Sequence, residues 1–96
     1  TAKGLVILLG CAHRGMVNIC TEAKKRWNKN IYAVIGGTHL MDSDKKWLDF
    51  AIDFIKTENV QIFAPNHCTG IEKVVYFKQN LPNTFKEAFC GSSISI

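Results

Sequence analysis

Long apolar runs are missing from this chain of 96 residues. None exceeds Leu5–Leu9, far short of the roughly 20 residues that a membrane-spanning helix needs. Neither G-x-x-x-x-G-K-[ST] nor G-x-G-x-x-G occurs, which excludes the common glycine-rich nucleotide cradles. There is no Arg-rich stripe interleaved with aromatics, no low-complexity tract and no linker. No charged, apolar and cleavable leader opens the chain, so the expectation is a cytoplasmic protein. The first strand-like segment starts almost at once and there is no initiator Met, so a piece of a larger protein is expected. Proline is scarce, 2 in all, and each marks a boundary: Pro65 closes an apolar run and Pro82 stops a helix.

What is present suits one globular domain over residues 1–96. The hydrophobic fraction is 47% and the charged fraction 21%, enough for a core. The net charge of +4 and pI near 9.0 could suggest an acidic partner. However, Lys24, Lys25, Arg26, Lys45 and Lys46 fall on the polar sides of helical patterns, where they form solvated faces. Nucleic acid is therefore not the expected partner, and a membrane is not expected either. The 4 cysteines read as thiols rather than staples, because a chain that builds its own core needs none. Cys20 and Cys90 read as small buried hydrophobes, whereas Cys11 and Cys68 each lie beside a histidine in a loop.

Periodicity predicts strands at Gly4–Leu9, Ile31–Ile35 and Val60–Ala64, the first covered on both faces, with short strands at Phe85–Cys90 and Ser92–Ile96. Between them, apolar residues recur at helical intervals: Met16, Cys20, Ala23 and Trp27, then Trp47, Leu48, Ala51, Ile52 and Ile55, then Ile71, Val74 and Val75. Ser43 is the expected N-cap of the second helix. The order β-α-β-α-β-α-β indicates an α/β sheet with helical crossovers. Right-handed crossovers make successive strands parallel, so the loops leaving them gather along one edge.

All 3 histidines fall in those loops. Gly10-Cys11-Ala12-His13 follows the first strand, Gly36-Gly37-Thr38-His39 the second, and Asn66-His67-Cys68-Thr69-Gly70 the third. A lone histidine is more often a satisfied polar residue, but three on one sheet edge point to a shared site. Imidazole binds Zn²⁺ and suits Fe and Mn, so His13, His39 and His67 are the expected metal ligands. His13 and His39 are also the expected catalytic residues, around water activated by one or two ions. Gly36, Gly37, Thr38, Thr69 and Gly70 either allow tight turns or contact a phosphate or other anion. In "APNHCTG", Pro65 is expected to end the strand, His67 to be held rigidly as a ligand, and Cys68 to face away into the packing. Thr69 would cap the helix that follows. Two other readings stand: a Cys-His nucleophile pair from Cys11 with His13 or Cys68 with His67, and a non-catalytic α/β binding module with a basic face.

Together, "GLVILLGCAHRGMVNIC", "IYAVIGGTHL" and "IFAPNHCTG" resemble the C-terminal half of a metallo-β-lactamase-fold hydrolase. The branch they look most like is the dihydropterin-related one of methyl transferases and aminobenzene phosphate synthases. The resemblance runs to the strand-like "AFCGSSISI" and implies half of an αββα sandwich with helices on one face of its sheet. It implies a metal site at one edge, on the Gly10–His13 loop and His67, with His39 a further ligand or a substrate contact. It also implies hydrolysis or transfer on a phosphorylated or pterin-like, anionic small molecule. The family's H-x-H-x-D-H signature is absent, and where many relatives have a bridging Asp this chain has Cys11 and then His13, either of which could take that role. The isolated chain is then expected to be inactive, and its partner to be the missing N-terminal half or a second copy.

Overall fold

In the computed structural model, which describes residues 1–40, 43–88 and 91–96, the apolar runs and amphipathic stretches alternate as strands and helices. They are β1 (Leu5–Leu9), α1 (Met16–Trp27), β2 (Ile31–Gly37), α2 (Lys45–Thr57), β3 (Ile62–Asn66), a 3-10 turn (His67–Thr69) and α3 (Ile71–Asn80). The strands form a parallel sheet in the order β1-β2-β3. Both crossovers step the same way along the sheet, so right-handed connection puts α1 and α2 on one face. α1 touches α2 and α2 touches α3, as one helical layer requires.

The register explains the core. Ile7, Val34 and Phe63 stand side by side across the three strands, and all three join the cluster under the helices. From α2 this cluster takes Leu48, Ala51, Ile52 and Ile55, whose spacing makes one stripe. Phe63 of β3 and Phe77 of α3 are fully buried and meet edge to face at 5.0 Å, an arrangement that adds to their burial. Phe77→Ala is expected to cost about 3–5 kcal/mol, because it empties a site that the sheet cannot collapse to fill. Urea unfolding should show a lower midpoint at an unchanged slope.

The next row, Leu8, Ile35 and Ala64, points to the opposite face. The apolar run of β1 predicts cover on both faces, and here the structure differs: Leu8 is 75% exposed, and Val6 and Ile35 are only half-buried. Among the described residues no helix lies over that side, and Leu8 at its edge stands open, although Ala64 at the other end of the row is buried. Trp27, Trp47 and Ile71 also depart from their predicted stripes and are exposed, as is Val75. They lie at the margins of the apolar faces that the helices press to the sheet.

Strand ends differ from the sequence reading for local reasons. β2 continues through Gly36 and Gly37, which pair with Pro65 and Asn66, so these glycines belong to the ladder before the turn. Pro65 does not end β3. Phe63 bonds through both its N–H and its C=O to residues 84–86 on the outer side, and Pro65, two residues on, faces the same way. It therefore withholds no donor from β2. The predicted strands after α3 reduce, among the described residues, to one bridge between Phe63 and Phe85. Residues 91–96 form no strand, and Cys90 lies outside the described residues. The N-cap of α2 is Asp44 rather than Ser43; its carbonyl accepts the amides of Trp47 and Leu48. No helix among the described residues is long and apolar enough to cross a membrane.

Candidate metal centre at the strand ends

Leu9, Gly36 and Pro65 share a row, and Gly37 pairs with Asn66 one step on. The three strands therefore end level, and their loops emerge at one place. Two glycines let them close up. A Cβ on Gly36 would lie 2.1 Å from the Leu9 carbonyl oxygen, and Gly36 has φ +127°. A Cβ on Gly37 would lie 2.3 Å from the Gly10 carbonyl oxygen and 2.8 Å from the Cys68 sulfur. In its absence the Gly37 amide donates to the Gly10 carbonyl at 3.0 Å.

The side chains then fall into two adjacent groups. His67 Nε2 lies 3.1 Å from Cys11 Sγ. The Cys68 thiol donates to the Cys11 carbonyl at 3.1 Å and accepts the His39 amide at 3.1 Å. The Cys11, His67 and Cys68 ligand atoms all lie within 4.8 Å of one another. Beside them the His13 and His39 rings stack at a tilt, 4.4 Å between centroids. Of the three histidines, then, His13 and His39 pair with each other while His67 sits with the sulfurs, and the His39 backbone joins the groups. Cys68, expected to face away, turns its sulfur into the cluster because its thiol finds the Cys11 carbonyl there. Sequence reasoning weighed Cys-His pairs within a loop. The close contact is Cys11 with His67, across two loops.

Of the residues expected to touch an anion, Thr38 and Thr69 engage one another. Thr38 and Thr69 are buried, their hydroxyls 2.8 Å apart, and the Thr38 amide donates to Thr69 Oγ1 at 3.2 Å. The Gly70 amide donates to the His67 carbonyl. The threonine pair ties the β2 loop to the β3 loop directly beneath the cluster.

Three residues of these loops, Ala12, His39 and His67, have left-handed backbone with φ of 56°, 57° and 52°. Each non-glycine residue there costs on the order of 1 kcal/mol, so the surroundings must hold it. Incomplete hydration and the neighbouring Cys68 thiol push the Cys11 thiol above its ordinary pKa. Cys20, buried on the inner face of α1, is pushed up to about 12 by burial and is inert.

The donor set fits a metal. Tetrahedral N/S sites with bonds of about 2.0–2.3 Å place ligand atoms roughly 3.3–3.8 Å apart. The 3.1 Å Cys11–His67 contact and the 4.8 Å limit for all three atoms lie close to that range.

No family model matches the chain. It is 35% identical over 95 residues to the 7,8-dihydropterin-6-methyl-4-(β-D-ribofuranosyl)-aminobenzene-5′-phosphate synthase of Methanocaldococcus jannaschii, a match that takes in 98% of the chain and 32% of the synthase. An uncharacterised protein of the same organism is 34% identical over 95 residues, with 99% of the chain and 35% of that protein matched. A crystal structure of a metal-dependent hydrolase of the β-lactamase superfamily superposes with a TM-score of 0.91 at 30% identity, over 100% of this chain and 38% of that one. The chain spans about a third of the length of these relatives. In sequence and in fold, the chain is similar throughout to one part of a metallo-β-lactamase superfamily hydrolase, with a dihydropterin-related synthase among its sequence relatives.

Proposed function

We propose that this chain contributes part of the metal centre of a metal-dependent hydrolase or transferase acting on a phosphorylated or pterin-like small molecule. The observation that carries the proposal is the convergence of Cys11, His67 and Cys68 within 4.8 Å, next to the stacked His13 and His39, at the level ends of three parallel strands. His67 would hold the metal with sulfur from Cys11 and Cys68, and His13 and His39 would complete the ligand set or face the substrate. A bound ion there would lower the pKa of its water and polarise an oxygen of the substrate. Mixed N and S donors favour Zn over Mn, with Fe the other candidate, as one or two ions. His13 and His39 can each hold a proton at a ring nitrogen and pass it to a leaving group. In this reading Gly36, Gly37, Thr38, Thr69 and Gly70 frame the site, keeping the loops at their spacing. The test is the metal content of the full-length protein after extensive dialysis. Stoichiometric metal that a chelator removes together with activity supports the proposal, and a metal-free active enzyme overturns it.

The match to about a third of each relative suggests what is missing. The open row of Val6, Leu8 and Ile35 is an apolar surface that the rest of the protein, or a second copy, would cover. By itself the chain is expected to be inactive and to self-associate. Sedimentation at several concentrations, with binding of a hydrophobic dye, checks this: a monomer at every concentration that binds no dye would count against the open face.

One observation favours a second reading. The 3.1 Å contact between Cys11 Sγ and His67 Nε2 is the geometry of a thiol–imidazole nucleophile pair. The elevated pKa of Cys11 counts against it, because such a pair acts as thiolate. Turnover after exhaustive chelation that is lost on alkylation of Cys11 would restore it.

A further inference from the structure

We propose that Cys11 and Cys68 form a reversible disulfide, a modification that fastens the loop after β1 to the turn after β3. Their sulfurs lie no more than 4.8 Å apart. A disulfide needs about 2.05 Å, so the gap to close is at most roughly 2.7 Å, within reach of rotation about the two Cα–Cβ bonds. Neither side chain is sealed in the core: both are partly exposed. Gly37 keeps the two loops close here: a Cβ on it would lie 2.8 Å from the Cys68 sulfur and 3.4 Å from the Cys11 Cα. The Cys68 thiol already reaches across to the Cys11 carbonyl. Cys20 offers the contrast, since it is wholly buried on α1 and has no access to an oxidant.

The oxidant is a hydroperoxide. One sulfur gives up its proton, attacks the peroxide O–O bond as the thiolate and becomes a sulfenic acid, releasing an alcohol, or water from hydrogen peroxide. The second sulfur displaces the sulfenic oxygen as water and the S–S bond forms. Two electrons pass from the sulfurs to the peroxide oxygens, and both thiol protons leave in the products. A dithiol such as dithiothreitol reverses the bond by exchange. The link stands on the sulfur geometry alone. Its consequence, loss of two sulfur donors and therefore release of metal, rests on the metal reading above.

The experiment treats the full-length protein, stripped of metal by a chelator, with hydrogen peroxide and then digests it with trypsin under non-reducing conditions. Cleavage after Lys3, Arg14, Lys56 and Lys73 puts Cys11 in peptide 4–14 and Cys68 in peptide 57–73. The expected result is a species containing both peptides at their summed mass less two hydrogens, which dithiothreitol resolves into the two. Cys20→Ser should leave its yield unchanged and Cys11→Ser should abolish it. Recovery of the two peptides unlinked, as sulfinic or sulfonic acids or as intact thiols, would overturn the inference, as would a link from either one to a different cysteine. A parallel sample loaded with Zn²⁺ separates the two claims. If the link forms without metal and zinc does not suppress it, the disulfide stands and the thiolate–metal reading falls.

Discussion

His67→Ala in the full-length protein should leave the fold intact, release the metal and lower kcat/KM by at least about 10³-fold. That factor corresponds to roughly 4 kcal/mol of transition-state stabilisation, the scale on which a bound metal acts. His67 is expected to matter most because its imidazole is fixed from several sides. The 3-10 turn that carries it is closed by the Gly70 amide on its own carbonyl, and the Thr38–Thr69 pair anchors the same turn from below. Its ring nitrogen already faces the Cys11 sulfur. Cys68→Ser should also weaken metal binding, since a hydroxyl keeps the contact to Cys11 but is a poor replacement for a thiolate ligand. The measurement is metal content and kinetics of both variants, with circular dichroism to confirm folding. Full metal occupancy in His67→Ala would refute the assignment.

Gly36→Ala should abolish folding. The added Cβ would fall 2.1 Å from the backbone oxygen of Leu9, in the middle of the β1–β2 ladder, at a φ of +127° that other residues scarcely adopt. Neither obstacle is the mobile end of a side chain. Relief would require prising β1 from β2, so the expected loss is several kcal/mol, comparable with the whole stability of a domain this size. Gly37→Ala is expected to be nearly as severe, because it meets the Gly10 oxygen at 2.3 Å and displaces the Cys68 sulfur. Gly10→Ala is the control: nothing lies within 4 Å of its Cβ position, and the change should be worth less than about 0.5 kcal/mol. Thermal unfolding of the three variants decides the matter. A cooperative transition for Gly36→Ala close to that of the parent chain would mean that the strand ends are more pliable than this packing implies.

These residues also show how far the sequence could be read. Element order was legible because strand-length and helix-length apolar patterns alternate, and parallel pairing follows from crossover length and handedness. The gathering of three histidine loops on one edge followed from the same reasoning. The partners within the edge did not. That Cys11 meets His67, and that His13 meets His39, depends on a left-handed turn at Ala12 and on the depth to which Gly37 lets the loops sink. Periodicity carries no signal for either. Gly36 and Gly37 look like turn residues in one dimension and prove to be strand residues in three, because their need for space arises from a neighbouring backbone. Thr38 and Thr69, 31 positions apart, could be recognised as a hydrogen-bonded pair only once Gly36 was aligned with Pro65. Leu8 misled in the opposite sense: an apolar run reports what a strand is suited to, and Leu8 itself stands 75% exposed.

The sheet register also acts as a ruler. A strand can slide past its neighbour only in whole residues of about 3.3 Å, and a slip of one turns every side chain to the other face. Phe63 would then leave the helices, at the cost of the core. A slip of two restores the faces but carries the β3 turn about 6.6 Å along the sheet, further than the 4.8 Å that encloses the three ligand atoms. No intermediate setting exists. The site is therefore digital: the backbone repeat permits one alignment in which sulfur, sulfur and imidazole meet, and any misaligned copy loses the site entirely rather than holding a loosened version of it.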